Sequence, residues 1–199
     1  MYRLTASLLN SWQRATDPDA EESAYVDFLA DLGRENRPSG PHAHVGIQFE
    51  NDVMTLASGR TIYTENKRSG EIIAISQFAD RVRGGAYQVR GEKRTVLNGL
   101  SINLVGIADF MKAGIITDIK RPLRYEYGKY QFSAQHPMYM EIFPECIRFD
   151  YLIYDGSYCY MEQYRRGDFE PIGTIATRFL NYLDDAGLMD IYQQKWREK

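Results

Sequence analysis

The sequence has no window approaching the ~18–20 uninterrupted apolar residues that a membrane span needs, and the apolar run in its opening MYRLTASLLNSWQR is too short for a secretory signal. A cytoplasmic protein with no membrane partner is the expectation. Cysteine is scarce: Cys146 and Cys159 are the two copies, they lack CxxC spacing, and they are read as reduced packing residues. The three histidines form no HxxxH or HExxH pattern, so a histidine-based zinc hydrolase is excluded, and His136 reads as a core or surface residue rather than a phosphate contact. Neither GxGxxG nor GxxxxGK[ST] occurs, which removes nucleotide binding through a glycine-rich phosphate loop. Internal repeats and low-complexity tracts are also missing.

What is present suits one compact domain over residues 1–199, with 44% hydrophobic and 13% aromatic residues. The net charge is −3, so contact with a polyanion has to come from local clusters of basic residues. Two such clusters are Arg81, Arg83, Arg90, Lys93 and Arg94, and then Lys120, Arg121, Arg124 and Lys129. On the charges alone they are also what an ordinary solvated surface carries.

Thr5 ahead of Leu8, Leu9 and Trp12 marks a capped short helix, and a second helix covers Ser23 to Leu32. GRENRPSGPHAH, 33–44, reads as a loop and a candidate flap. A helix from Val45 to Gly59 is expected to present Ile47, Val53, Met54 and Leu56 on one face, and another runs from Gly70 to Val82. Beyond Gly84-Gly85, short alternating runs predict three or four antiparallel strands. A helix over 132–143, with Pro137 as a warning that it starts later, a hairpin turning at Asp155-Gly156, and a last helix carrying Ile172, Ile175, Phe179, Leu180 and Leu183 complete the chain. The fold class is α/β, a central mixed sheet flanked by helices.

Within the strand region lies GIADFMKAGIITDIK, an apolar run carrying Asp109, Asp118 and Lys120. Burying an unpaired carboxylate costs several kcal/mol (roughly), so these charges need a reason. With Asn103 to Asp109 as one strand, FMKAG as the turn and Ile115 to Lys120 as the return, alternation sets Asp118 beside Lys120 on one face. If the strands splay, Asp109 joins them. Two carboxylates, the carbonyl of Ile119 and waters then make an oxygen shell for Mg²⁺ or Mn²⁺. Taken alone, the triplet is also what a surface hairpin with a Lys–Asp pair looks like.

The order of three motifs adds context: GIAD ending at Asp109, DIK at Asp118 to Lys120, and QHPMY with Gln135 and Tyr139 four apart on one helical face. In these motifs the sequence resembles the PD-(D/E)XK nuclease superfamily, in its RecB-like and lambda-exonuclease-like branch. GIQFE, Gly46 to Glu50, and ASLLNSW echo further elements of that branch, so the likeness runs from about Ala6 to Tyr139.

The resemblance implies a restriction-endonuclease-like core and a Mg²⁺- or Mn²⁺-dependent DNA nuclease, an exonuclease of recombination, repair or phage DNA processing. It implies Glu50, Asp109, Asp118 and the Ile119 carbonyl as metal ligands, Lys120 as the electrostatic residue, and Gln135 and Tyr139 as supports. DNA, as double-stranded ends or single strands, is the implied partner, and the acidic pI leaves a place for a homo-oligomer or a recombination partner protein in holding it. Ala108 stands where the superfamily's name has proline. Two isolated cysteines cannot hold the iron-sulfur cluster of many relatives. Glu50, in place of the histidine of some relatives, hardens the site toward oxygen-seeking ions. A nuclease fold that binds nucleic acid without turnover is the alternative. Tyrosines in YEYGKYQF, from Tyr125, either stack unpaired bases or fill the sheet–helix interface.

Overall fold

The computed structural model describes residues 1–36 and 40–198. A four-residue strand β1 (Tyr2–Thr5) runs straight into helix α1 (Ala6–Ala15), where the Thr5 hydroxyl accepts the Leu8 N–H at 3.3 Å, the expected cap. Helices α2 (Glu22–Leu32), α3 (Pro41–Ala57) and α4 (Ser69–Val82) follow. The meander then gives three strands, β2 (Ala86–Leu97), β3 (Leu100–Lys112) and β4 (Ile115–Lys120). Helix α5 (Gln135–Ile142), the hairpin β5 (Arg148–Tyr154) and β6 (Cys159–Arg165), and helices α6 (Ile172–Asp185) and α7 (Met189–Lys195) complete the chain.

These strands form one six-stranded mixed sheet, ordered β1-β3-β4-β5-β6 with β2 on the other edge of β3. The expected α/β class with a central mixed sheet flanked by helices is therefore the observed one. Packing is uneven. One face carries α1, α2, α5, α6 and α7 over a core that includes Leu9, Phe28, Ile102, Phe149, Tyr151, Phe179 and Tyr192. The other face carries α3 and α4 alone, over a smaller core of Phe49, Val53, Ile75, Phe78, Phe110, Ile119 and Leu152. Each large apolar side chain so enclosed contributes about 1.5–3 kcal/mol.

Several expectations shift by a few residues. The return turn is not FMKAG: β3 continues through Lys112, and Ala113-Gly114 alone reverses the chain, both at positive φ (49° and 76°), the conformation a two-residue hairpin turn needs. Within α3, Ile47 is exposed and Phe49 and Val53 face inward, because the i, i+4 pair nearest the sheet is the aromatic one. Pro41 to His44 already belong to α3, so the loop over 33–44 is shorter than expected, and its residues 37–39 lie outside the described residues. Helix α5 starts at Gln135, which leaves Pro137 in the first turn, where a missing N–H costs nothing. Strand β1 and helix α7 are too short to leave a periodic signal in the sequence.

Gly91 and Gly106 face each other in the β2–β3 register, and α5 lies directly on this flat spot. A Cβ at Gly106 would come 2.5 Å from the Tyr139 ring, and one at Gly91 would come 2.5 Å from Ile142 and Phe143. Gly106→Ala is thus expected to push α5 away at about 1–3 kcal/mol, roughly 3–10 °C in Tm for a domain of this size. Gly173→Ala, where nothing lies within 4 Å, serves as the control in the same melting experiment and should leave Tm unchanged or slightly raised. Equal melting of the two variants would contradict the close approach.

Candidate functional site

Strand β3 shares one edge between two partners: β1 pairs with it over Ile102 to Val105, and β4 over Phe110 to Lys112. Gly106 to Asp109, the GIAD segment, falls in the gap. The break shows in the side chains as well, for Ala108 belongs to the larger core and Phe110 to the smaller, although residues two apart on a regular strand share a face. On the opposite edge, Gln88 takes a positive φ of 52°, and the otherwise constant β2–β3 register is interrupted at Gln88 and Asp109. The splay that would bring Asp109 to Asp118 and Lys120 is real. Asp109 Oδ2 accepts the Ile119 N–H at 3.2 Å in place of a strand partner.

Around this gap the structure brings together the residues expected from the sequence. Asp118, 2% exposed, lies beside Lys120, whose Nζ is 2.7 Å from Asp118 Oδ2, although that oxygen receives no aligned hydrogen bond. Gln135 joins the two: its Nε2 donates to Asp118 Oδ1, and its Oε1 accepts from Lys120 Nζ at 3.1 Å. Tyr139, one turn further along α5, lies on Gly106 and feels the fields of Asp118 and Asp109. Burial, and then those two carboxylates, push its phenol up to about 12. Glu50 reaches in from α3, where it accepts from Tyr87 at 3.3 Å and from Gln88 at 2.9 Å.

The electrostatics show that these groups share one region. Burial first, then repulsion from Asp118 and Glu50, push the Asp109 carboxyl up to about 9 against the smaller pull of Lys120 and the Ile119 N–H. Glu50 is raised too, by burial and then by Asp118. Such a cluster needs a proton or a cation to offset it. Among the described residues, no three histidine, cysteine, aspartate or glutamate side chains are drawn close enough to hold a metal ion as they stand. The donor set still matches a hard divalent ion in kind: three carboxylates, no sulfur, and a buried Asp118 oxygen without a donor aligned on it. Of Ile119, the structure describes its N–H bond to Asp109 and a side chain in the smaller core.

Some contributors are not apparent from the sequence. Asn10 of α1 accepts the Ala134 N–H at 2.7 Å and donates to Ser133 at 3.2 Å, which fixes where α5, and hence Gln135, begins. At the far end of α5, Arg166 donates to the carbonyls of Met140, Phe143, Pro144 and Cys146. Tyr130 and Tyr151 stack at 4.7 Å, and Lys120 Nζ lies 5.9 and 5.7 Å from their ring centres. Nothing in the spacing of Asn10 or Tyr130 announces these roles.

Other expectations resolve plainly. His136 is fully buried, stacked on Tyr164 at 4.2 Å, and pushed down to about 3 by burial, so it is a core residue. Within YEYGKYQF, Tyr125 donates to the buried Glu162 at 2.5 Å and stacks near Tyr130, whereas Tyr127 and Phe132 are exposed. Cys146 is buried, as expected of a packing residue; Cys159 is exposed, a correction, because it opens the edge strand β6.

The fold and the site define an α/β protein whose mixed sheet opens at one splayed strand junction lined with carboxylates. In structure it is similar to the crystal structure of SSO0001, with a TM-score of 0.53 and 13% identity, over 92% of this chain and 77% of that one. That likeness shows a known fold. No protein-family model matches the sequence, and no curated protein matches it. No helix among the described residues is long and apolar enough to cross a membrane.

Proposed function

We propose that the chain is a metal-dependent nuclease that hydrolyses phosphodiester bonds in DNA, working as an exonuclease in recombination, repair or phage DNA processing. The observation that supports this reading most is the placing of Asp109 and Asp118 at the point where β3 lacks an edge partner, with Lys120 2.7 Å from Asp118 and Glu50 of α3 near enough for its field to act on Asp109. Mg²⁺ or Mn²⁺ held by these carboxylates would supply water activation and polarisation of the phosphodiester. The chain's own residues do the rest. Asp109 would have to be ionised to hold a cation, Lys120 would set a positive charge against the charge growing on the phosphate oxygens, and Gln135 holds Lys120 and Asp118 in register. Tyr139 keeps its proton at neutral pH and walls the site against Gly106.

End-labelled linear duplex and covalently closed circular DNA, incubated side by side with Mn²⁺, test the proposal. The linear molecule is expected to shorten while the circle stays intact. A cut circle would replace the exonuclease with an endonuclease, and intact DNA in both tubes would remove the nuclease reading. A second reading, a nuclease fold that binds nucleic acid without turnover, is favoured by one observation: Lys120 and Gln135 already engage both oxygens of Asp118, and no trio of donors is closed. Calorimetry with Mn²⁺ separates the two, since only the active site takes up the ion.

A further inference from the structure

We propose that Arg121 forms a second phosphate-binding position of this same site, gripping a backbone phosphate next to the one at the carboxylates; the proposal rests on the nuclease reading above. Arg121 directly follows Lys120 at the end of β4, and strand alternation sends the two side chains to opposite sides of the sheet. Lys120 meets Gln135 on the α5 side. The guanidinium of Arg121 instead lies 4.8 Å over the ring of Tyr154, which stacks at 5.5 Å on Phe49, the residue before Glu50. A polymer crossing the end of the sheet at the carboxylates therefore meets Lys120 on one flank and Arg121 on the other.

Among the described residues Arg121 is one of several arginines without an ion pair, and the one that stands next to Lys120, with Asp155 acting on it from beyond ion-pair distance. Arg83 pairs with Asp80, Arg148 with Asp150 and Arg178 with Glu170, yet Arg121 makes no ion pair among the described residues. Of its five N–H donors, Nη1 meets the Pro122 carbonyl at 3.2 Å, while Nε is enclosed with no acceptor. The carboxylates that face it are occupied. Asp155 accepts the N–H groups of Ser157 and Tyr158, both at 2.8 Å, and the Tyr160 hydroxyl at 3.1 Å. Glu71, which faces Tyr154 together with Arg68, has Lys67 at 3.7 Å.

The guanidinium thus keeps N–H groups with no carboxylate within ion-pair distance among the described residues, Asp155 acting on it only from further off, and the arginine is held in place. The Tyr154 hydroxyl donates to the Gly156 carbonyl at 3.0 Å, and Gly156, whose φ of 101° favours glycine, lies close under the guanidinium, since a Cβ there would come 3.1 Å from Arg121 Nη2. A planar guanidinium stacked on a ring and short of acceptors matches the paired oxygens of a phosphate better than a single point charge would.

The test measures binding of a labelled duplex of about 20 bp with Ca²⁺ in place of Mg²⁺, across a KCl series, for the full chain and its variants. Arg121→Ala, and Arg121→Gln, which keeps the packing on Tyr154, are expected to weaken binding about tenfold and to reduce the slope of log K against log[salt] by about 1. Arg121→Lys should restore the slope but only part of the affinity. Matching melting curves confirm folding.

Unchanged affinity and slope in both Arg121→Ala and Arg121→Gln would overturn the proposal. So would inorganic phosphate that protects the wild type from heat through Arg121 while the duplex slope stays the same, since the occupant would then be a free anion. Duplex binding without cleavage in Mg²⁺ or Mn²⁺ would remove the nuclease reading and still let the slopes judge Arg121. No duplex binding at low salt would remove both.

Discussion

Lys120→Ala is expected to slow cleavage of linear duplex by at least about 10²–10³ in single-turnover rate, while duplex affinity in Ca²⁺ changes far less. The reason lies in how the ammonium is held. It sits against Asp118 at 2.7 Å, donates to Gln135 at 3.1 Å and is flanked by the rings of Tyr130 and Tyr151. Its position is therefore set before substrate arrives, and a preset charge needs no reorganisation when negative charge grows on the phosphate. Removing it takes away a transition-state interaction and leaves remote phosphate contacts in place. Lys120→Arg should not recover the rate, because the planar fork cannot occupy the same point between Asp118 and the two rings. A Lys120→Ala enzyme that cuts at the wild-type rate would show that the charge has no part in the chemistry.

Asp109→Asn is expected to raise the metal-free Tm at pH 8 while abolishing cleavage. Folded Asp109 holds its proton up to about pH 9, whereas the unfolded chain releases it near the ordinary aspartate value of 3.8. Between those two values the native state binds the additional proton, so stability is full below the lower one and falls as pH rises toward the upper. The asparagine carries no such cost. The gain at pH 8, at roughly 2–4 °C in Tm for each kcal/mol at this chain length, should fade as the pH approaches 4. If the site takes up Mn²⁺ as proposed, the ion would take over the role of the proton in the wild type, and its stabilisation should be larger at pH 8 than at pH 5 and absent from the variant. Melting curves across pH, with and without Mn²⁺, check both statements. A wild-type Tm flat between pH 5 and 8, and unmoved by the ion, would contradict them.

Much of this site was legible because period-two alternation carries it. Asp118 and Lys120 share a face in the sequence as in the fold, and Gln135 and Tyr139 project from one side of a helix at the spacing that makes them neighbours. Asp109 was legible only conditionally. The feature that brings it in is a break in alternation between Ala108 and Phe110 together with a positive φ at Gln88, and neither residue type signals one. Glu50 is marked by resemblance alone, since nothing local distinguishes a partly buried glutamate on a helix whose apolar pattern includes the exposed Ile47. The helix expected over 132–143 begins at Gln135 instead, because its start is set by Asn10, more than a hundred positions earlier in the chain. Gly91 gave no sign of its role, for the crowding it avoids comes from Ile142 and Phe143 across the sheet.

The two faces of the sheet differ in more than the number of helices. Helices α3 and α4 rest on the lesser core, and Glu50 rides on them, while Asp109, Asp118, Lys120 and Gln135 are fixed to the sheet and to the side with the larger core. Sub-global opening of a protein follows its weakest cooperative unit. The α3–α4 pair is therefore expected to exchange its amide hydrogens ahead of the rest, which would tie one of the three carboxylates to the breathing of two helices while the other two stay where the strands put them.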